Sequence, residues 1–469
     1  MSAGAPAAGG GRGSRAPFDE RWLARLAGVA LETAARAAPD GVAIEVRVDR
    51  TVEGLTRFAN SQVHQNTWSE DLAVAVRAVT DDGRVGVATI HTDDEAGAAE
   101  AAARAAALAR VAPPDPAFPG LAAAADVPTV PVDEATAAAD PRDRADAVRS
   151  VLTEVPDAYE AAGAYATTAL ERLIVTTAGQ HAYVPMSTAD LTLGVTGPSS
   201  SGFAQDGGRS AAEVDPAAAG RRAAAKALAG TEPVDTAAGD WTVVLEPGAV
   251  GTLLVYLGFI GFGARTVAEG RSFASGRLGE RVMDQRVTLI DDATGPQGIG
   301  APFDFEGTPA RRTGLVADGV LRGVVHDRAS AAAAHTSSTG NALPAPNPHG
   351  PIPLNVQLLP GDGGSADDLV AGCERGLLIT RLHYVNALRP AETLVTGMTR
   401  DGTFLIEDGK VVAPVRNLRF TQSIVDTLAR IEAVGSEIGY CPLPRLAGGN
   451  RQPAVRASGF SFTGTTTFG

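Results

Sequence analysis

Apolar and polar residues alternate along much of the first half of the chain. A period of two is typical of half-buried strands, whose successive side chains face opposite sides of a sheet. It predicts strands at residues 42–48, 52–58, 63–68, 72–79, 84–90, 164–177, 184–195 and 199–204. Apolar residues three and four positions apart predict helices at residues 18–38, 93–112, 141–152 and 215–228. We therefore expect an α+β fold with an N-terminal antiparallel sheet and flanking helices.

The second half of the chain is predicted to be largely β. Residues 314–319 and 320–325 predict a hairpin around Asp318-Gly319, because an Asp-Gly pair supplies the positive φ of a tight turn. Other strands are predicted at residues 241–245, 287–290, 355–359, 376–385, 403–406 and 410–412, and helices at residues 249–263, 367–376 and 420–433. We predict three parts: a disordered tail over 1–17, an α+β domain over 18–235 and a mostly β domain over 236–469.

Composition narrows the functional class. The 469 residues carry a formal net charge of −14, which argues against nucleic acid as a standing partner. Two cysteines, Cys373 and Cys441, cannot form a disulfide framework and fit a reducing compartment. The apolar run at residues 250–262 is interrupted by glycines and is too short to span a bilayer. We expect a soluble, cytoplasmic protein without a signal peptide.

Charged and hydroxyl residues gather at the ends of predicted turns. Four such clusters are Asp291/Asp292, Asp304/Glu306, His326/Asp327 and residues 337–341. Loops held by strands are where binding groups are usually placed. No Gly-x-Ser-x-Gly elbow occurs, and the glycine-rich residues 258–263 lack the Lys-Ser/Thr of a phosphate loop.

Several segments of the chain, which include these clusters, resemble the TldD/PmbA (modulator of gyrase) family. The similar segments, in order, are Thr56-Arg-Phe-Ala-Asn-Ser-Gln-Val-His64, residues 287–309, His326-Asp-Arg328, Ser338-Thr-Gly-Asn341, residues 353–361 and residues 394–409. Several separate blocks in one order are hard to obtain by chance, and together they cover nearly the whole chain after the first fifteen or so residues.

The catalytic branch of that family resembles a zinc peptidase with a His-Glu-x-x-x-His helix, in which two imidazoles hold the metal and the Glu activates water. The corresponding residues 254–265 contain no His, and no pair among the seven histidines has the spacing of a zinc helix. The resemblance therefore points to the metal-free PmbA/TldE-like branch. We assign no catalytic and no metal-binding residue, and zinc is expected in a partner subunit.

The candidate substrate-binding residues come from the turn-end clusters and from two predicted strands. Short polar side chains beside free backbone suit an extended peptide recognised as an added strand. The candidates are Ser338, Thr339, Asn341, Asn355, His326, Asp327 and His383. His383 lies in a strand that resembles the cleft-lining strand of the family. Cys441 is interpreted as a small buried apolar residue, because one soft ligand without a histidine pair cannot hold zinc.

The resemblance implies a non-catalytic subunit of a heterodimeric TldD-type zinc metallopeptidase that degrades or processes peptides. The expected partner is a TldD-like catalytic chain of the same fold, or a second copy of this chain. Two alternatives remain: a stand-alone family member that hydrolyses an amide in a specialised biosynthetic pathway, and a scaffold that binds peptides without cutting them.

Overall fold

The computed structural model describes residues 16–37, 42–443 and 448–465. The fold is mixed α+β, as the sequence predicts, with an N-terminal antiparallel sheet and helices followed by a largely β region. Nearly all of the predicted tail over residues 1–17 lies outside the described residues. No helix in these ranges is long and apolar enough to cross a membrane.

The N-terminal sheet is antiparallel and has the order β3-β2-β1-β4-β5-β6 in the described residues. Its strands are β1 (Ala43–Ala59), β2 (Gln62–Val79), β3 (Val85–His91), β4 (Glu160–Thr176), β5 (His181–Thr196) and β6 (Ser201–Gly208). β1 and β2 each merge two predicted strands. The polar residues that suggested a break in β1 are held by charge pairs, since Asp49 contacts Arg172 at 2.5 Å and Arg50 contacts Glu171 at 2.8 Å.

Helices cover this sheet. They are α1 (Glu20–Ala37), α2 (Glu95–Val111), α3 (Glu134–Ala137), α4 (Pro141–Leu152) and α5 (Pro216–Ala229). The core of α1 and α2 lies against β1 and β2, while α4 and α5 pack over β4 to β6. The Asp94 side chain caps α2 by accepting from Gly97 N. Gly86 lets α2 approach β3 closely, because a Cβ there would lie 2.1 Å from Ala105 O.

The C-terminal region is built on a closed ring of strands. Its strands are β7 (Gly239–Leu245), β8 (Leu289–Asp291), β9 (Thr313–Ala317), β10 (Val320–Leu321), β11 (Val356–Leu358), β12 (Arg375–Arg389), β13 (Leu394–Glu407), β14 (Lys410–Pro414), β15 (Leu418–Ser423), β16 (Ile431–Pro442) and β17 (Gly449–Thr465). The path β12-β7-β17-β15-β13 closes because β13 also pairs with β12, and β10-β9-β8-β11 form a second, smaller sheet.

The helices of this region are α6 (Pro247–Gly261), α7 (Ala264–Ala268), α8 (Arg328–Ala333), α9 (Ala366–Ala371) and α10 (Ile424–Ala429). α6 packs against β12, β16 and β17. Its buried side includes Val250, Leu253, Leu254 and Leu257, which join the main hydrophobic core of the region.

The turn at Asp318-Gly319 is confirmed by φ values of 49° and 76°. The predicted helix over residues 420–433 is wrong. That stretch contains the end of β15, the six-residue helix α10 and the start of β16. In β15, Leu418, Phe420 and Gln422 are buried in alternation, which is the period of a strand. Ser423 then caps α10 by accepting from Asp426 N, and the helix ends at Ala429.

Candidate functional site

A groove of about 800 Å³ lies between the N-terminal sheet and the loops of the C-terminal region. One wall is the edge strand β3, at Val85–Val87, with the exposed Leu108 and Val111 of α2. The opposite wall is α8, at Ala332, and the segment of residues 342–347. Its volume is within the range of about 300–1,000 Å³ found for ligand sites. The groove joins an apolar surface to a sheet edge.

Arg77 forms the charged floor of this groove. Its guanidinium lies 2.5 Å from a Glu45 oxygen and 3.2 Å from a Glu306 oxygen, so it joins the two regions of the molecule. Burial alone would lower the pKa of Arg77, but the two carboxylates outweigh burial and raise that pKa. The three side chains form a buried ionic triad in which one guanidinium is shared by two carboxylates.

Asp327 lines the groove and also begins α8. Its carboxylate accepts from Ser330 N at 2.8 Å, and Ser330 returns a bond to Asp327 N at 3.2 Å. This reciprocal pair is a capping box, which satisfies backbone donors at the start of the helix. Asp327 therefore positions one wall of the groove through the helix that it caps.

Four other predicted residues form a hydrogen-bonded chain behind that wall. The Ser338 hydroxyl donates to His326 O at 3.0 Å, and His326 N donates to the Thr339 hydroxyl oxygen at 2.7 Å. The Thr339 hydroxyl donates to Asn341 Oδ1 at 2.6 Å. Burial lowers the pKa of the His326 ring. The chain joins the residues after β10 to residues 338–341.

This chain of bonds continues to Asp291 at the end of β8. Asn341 Nδ2 donates to Asp291 Oδ2 at 2.7 Å, and Asn355 N donates to Asp291 Oδ1 at 2.7 Å. Asp291, Asn341 and Asn355 line a small cavity of about 70 Å³, together with Asp304. We call this the inner cavity. Six of the seven predicted residues thus belong to one connected structure.

The two carboxyl groups of the inner cavity have raised pKa values. Burial, with a smaller effect of Asp292, raises the pKa of Asp291 to about 6. Burial and the neighbouring Glu306 raise the pKa of Asp304 to about 7, although Asp304 accepts hydrogen bonds from three backbone groups. Both carboxyls therefore hold a proton more tightly than they would in water.

His383, the seventh candidate, lies elsewhere. It is on β12, at an interruption of the β12–β13 register, and it lines neither the groove nor the inner cavity. Its ring is 4.4 Å from that of Tyr384, an exposed residue with a φ of 48°. Burial lowers the pKa of His383, and Arg381 lowers it further.

The sequence predictions missed the floor and one wall of the groove. Arg77 and Glu306 are 229 positions apart, and although Glu306 stood in a turn-end cluster, nothing in the local sequence indicates that it pairs with Arg77. β3 has a free edge because of the order of the strands in the sheet. The alternation of apolar and polar residues along the sequence does not indicate that order. Asp291 and Asp304 stood in two of the turn-end clusters, which was the available signal for the inner cavity.

The helix α6 covers most of the residues that correspond to the metal helix of the catalytic branch, and its side chains offer zinc no ligand. Residues 247–261 include no His, Cys, Asp or Glu. Cys441 packs against this helix at Gly251, where a Cβ would lie 2.6 Å from the sulfur. Burial raises the pKa of the Cys441 thiol to about 12, and the sulfur donates to Pro247 O at 3.1 Å. No His, Asp or Glu of α6 stands beside it, and one sulfur ligand alone does not hold zinc.

The described residues contain no group of three or more His, Cys, Asp or Glu that could hold a metal ion. Cys441 is buried and unpaired, in agreement with its interpretation as a small core residue.

Two segments match families of known proteins. Residues 44–109 match domain 1 of the PmbA/TldA metallopeptidases, and residues 238–464 match their C-terminal domain. The chain belongs to the PmbA/TldD metallopeptidase family. This places the groove and α6 in a family of proteins that are described as metallopeptidases.

Curated relatives match about half of the chain. A metalloprotease of Methanothermobacter thermautotrophicus is 29% identical over 233 residues, which are 47% of this chain and 49% of that protein. A metalloprotease TldD homologue of Haemophilus influenzae is 27% identical over 256 residues, 52% of each chain. The chain thus spans about half the length of the curated relatives it matches.

Solved structures share the fold over nearly the whole chain. TldE of Thermococcus kodakarensis has a TM-score of 0.83 at 20% identity and covers 93% of this chain and 100% of its own. A protein of Thermotoga maritima, described as a putative modulator of a DNA gyrase, has a TM-score of 0.80 at 19% identity and covers 95% of this chain and 100% of its own. At these identities the likeness concerns the fold alone.

Proposed function

We propose that this chain is the non-catalytic subunit of a two-chain TldD-type metallopeptidase. The observation that carries the proposal is the composition of α6, where the side chains that would bind zinc and activate water are replaced by apolar residues and glycine. Cys441 beside it is a single sulfur ligand and offers no substitute. The zinc and the general base would then come from a partner of the same fold, or from a second protein with a His-Glu-x-x-x-His helix.

In this proposal the chain holds an extended peptide for its partner. The groove runs along Val85–Val87 of the edge strand β3, which pairs on one side with β2. An edge strand offers unpaired backbone groups to an added strand, and the nearby apolar residues of α2 and α8 would take alternate side chains. Binding through the backbone suits peptides of varied sequence, such as unfolded or modified fragments.

The test compares the purified chain, a candidate His-Glu-x-x-x-His homologue and an equimolar mixture of the two. Zinc content is measured by atomic emission, peptidase activity with a quenched fluorescent peptide, and complex formation by light scattering. We expect zinc and activity to require the homologue, with activity rising to a maximum at one-to-one stoichiometry. Stoichiometric zinc or peptidase activity in the isolated chain would contradict the proposal.

A matched variant tests the assignment of α6. Because a non-catalytic helix needs only its packing, Tyr256→Phe should leave the activity of the mixture within about twofold. The Tyr256 hydroxyl donates a hydrogen bond to Val385 O, so the substitution removes a structural hydrogen bond and keeps the packing of the ring. A loss of activity as large as that from removing the homologue's glutamate would assign chemistry to α6.

A further inference from the structure

Three arginines, which we call the arginine strip, lie on one face of the closed ring of strands: Arg381, Arg400 and Arg419. Arg381 of β12 is directly opposite Arg400 of β13 in the antiparallel register. Arg419 of β15 is opposite Met398, which stands two residues before Arg400. Side chains that are directly opposite across a sheet, or two apart along a strand, share one face. Because Leu418, next to Arg419, is fully buried in the core of the ring, the strip lies on the outer face.

The strip carries more positive charge than its own contacts neutralise. Arg381 Nη2 lies 2.5 Å from Asp401 Oδ2, and the Ser201 hydroxyl donates to Asp401 Oδ1 at 2.7 Å. Arg400 Nε is 3.7 Å from the same carboxylate, which is too far for a hydrogen bond. Arg419 forms no ion pair with a carboxylate of residues 16–37, 42–443 or 448–465. One carboxylate, held by Arg381 and Ser201, therefore stands beside three guanidinium groups.

The pKa of His383 shows the same excess of positive charge. His383 is opposite Met398, so its ring lies on the face of the strip. Burial lowers the pKa of His383, Arg381 and Arg400 lower it further, and Asp401 opposes them. Arg400 likewise acts against Asp401 on the pKa of Arg381, which burial lowers. The neutral imidazole adds no negative charge that could balance the arginines.

The other acidic groups near Arg400 do not supply the missing counter-charge. Arg400 lines a cleft between residues 196–201, 230–235 and 400–403, and the acidic side chains of that cleft are Glu232, Asp235 and Asp401. Asp235 pairs with Arg416 at 3.1 Å. Glu232 is exposed and forms no ion pair with Arg400 in the described part of the chain.

This arrangement is unfavourable for the isolated chain but suits an anionic partner. Like charges that are directly opposite across two strands destabilise a sheet, as Arg381 and Arg400 do here. The Arg400 side chain is 43% exposed and Arg419 is exposed as well, so both guanidinium groups can be reached from solvent. A guanidinium binds a carboxylate with two parallel hydrogen bonds, which makes arginine the usual partner of carboxylates in recognition sites.

The spacing of the two accessible arginines fits an extended peptide. Met398 is about 7 Å from Arg400 along β13 and about 5 Å from Arg419 across the sheet, so the Cα atoms of the two arginines are about 8 Å apart. Side chains at positions i and i+2 of an extended peptide share one face and are about 7 Å apart. Two carboxylates separated by one residue can therefore contact both arginines at once.

We propose that Arg400 and Arg419 bind two carboxylates, separated by one residue, of an extended acidic peptide segment. Neither arginine lines the groove along β3, so this site is separate from the one in the proposed function. A peptide suits the strip better than nucleic acid does, because the chain as a whole has a net charge of −14 and would repel a long polyanion. Arg381 holds Asp401 in place and thereby keeps that carboxylate from pairing closely with Arg400.

The test measures the affinity of the full chain for two labelled peptides by fluorescence anisotropy. One peptide contains Glu-Ser-Glu in a neutral sequence, and the other contains Gln-Ser-Gln in its place. The Glu peptide should bind at least tenfold more tightly at low ionic strength, and NaCl at about 0.5 M should remove most of the difference, because exposed charges are screened. Equal affinities for the two peptides would overturn the proposal. Tighter binding of inorganic phosphate or of a DNA oligomer would overturn it too, since the strip would then be a site for phosphate groups.

Substitutions in the strip locate the peptide. Arg400→Gln and Arg419→Gln should each weaken binding of the Glu peptide at least fivefold and leave the Gln peptide unaffected. Neither should lower the temperature of thermal unfolding, because both positions are accessible and Arg400→Gln also removes a facing like charge. The control is Arg322→Gln, an exposed arginine after β10, which should bind both peptides as the unchanged chain does. Affinities for the Glu peptide that equal that of the control would place the peptide elsewhere and overturn the assignment.

Discussion

Buried charge is treated differently in the two regions of this molecule. In the N-terminal sheet, Arg50 is paired with Glu70 and Glu171, and Arg77 with Glu45 and Glu306. In the loops after β8, Asp291 and Asp304 are as deeply buried but have no charged partner in the described residues. The paired charges fix the sheet and the floor of the groove. The unpaired carboxyl groups make the inner cavity sensitive to pH.

Among the paired charges, the loss of the central cation, Arg77, should have the largest effect on stability. Arg77→Met leaves Glu45 and Glu306 buried without a counter-charge, and breaking a buried pair in this way costs about 3–5 kcal/mol. Urea unfolding monitored by circular dichroism measures the loss of stability. Arg104→Met, whose ion pair with Glu100 is exposed, is the control and should change stability far less. Equal effects of the two substitutions would show that the triad is not special.

The unpaired carboxyl groups should make the stability of the protein depend on pH. Because the folded state raises the pKa of Asp304 from 3.8 to about 7, it binds the proton more tightly than the unfolded state does. Stability is therefore expected to fall as pH rises through that interval, by an amount on the order of 4 kcal/mol. Asp304→Asn should flatten this slope, whatever its effect on stability at a single pH.

The free energy of unfolding is measured from pH 4 to pH 7.5 in a buffer that contains a chelator. This range extends to both sides of the raised pKa of Asp304. Asp82→Asn, an exposed carboxylate, is the control and should retain the slope of the unchanged chain. A slope that is the same in Asp304→Asn would mean that other groups, such as the buried Asp190, are responsible.

A bulky side chain in the groove separates peptide binding from stability. Ala332→Trp places an indole in the groove from an exposed position of α8, and it should weaken binding of an extended peptide at least tenfold without loss of stability. Fluorescence anisotropy of a labelled, unfolded peptide measures the affinity. Ala334→Trp, at the exposed end of the same helix and outside the groove, should bind normally. Equal peptide affinities of the two variants would show that the peptide does not bind in the groove.

The smallest expected effect concerns the chain of hydroxyl groups between the two sites. Thr339→Val keeps the shape of the side chain but removes the donor to Asn341 Oδ1 and the acceptor for His326 N. The expected loss is about 1 kcal/mol, the usual contribution of an intramolecular hydrogen bond. Thermal unfolding of this variant beside Thr313→Val, whose hydroxyl is exposed and donates to Arg311 O, measures it. A loss of stability greater than that of Arg77→Met would mean that these hydrogen-bonded hydroxyl groups, and not the ionic triad, are the main support of the groove.

Local chemistry made much of the fold predictable. The helix at residues 141–152 coincides with α4, because Asp140 and Asp143 form a capping box and Pro141 stands at the first helical position. Ser423 also begins a helix, but α10 is only six residues long. The neighbouring residues 420–422 and 431–433 contain apolar side chains whose spacing suits either element, and tertiary pairing with β13 and β17 decides for strands.

The candidate site was predictable in part because its residues stand at turn ends. His326, Ser338, Thr339, Asn341 and Asn355 come together because the strands that precede or follow them share a small sheet. His383 does not join these residues. The resemblance of its strand to a cleft-lining strand does not indicate where β12 lies relative to the groove. The roles of these residues in substrate binding, and the domain limits at residues 17 and 235, remain predictions.

The contact between Cys441 and Gly251 makes the sulfur a reporter on the seating of α6. A thiol that is buried and protonated reacts with iodoacetamide only when the helix lifts away, so the rate of alkylation measures that opening. With Cys373 replaced by Ala, the remaining thiol gives a single kinetic signal. Any molecule that docks near α6 and holds the helix down would slow that signal, whatever its identity.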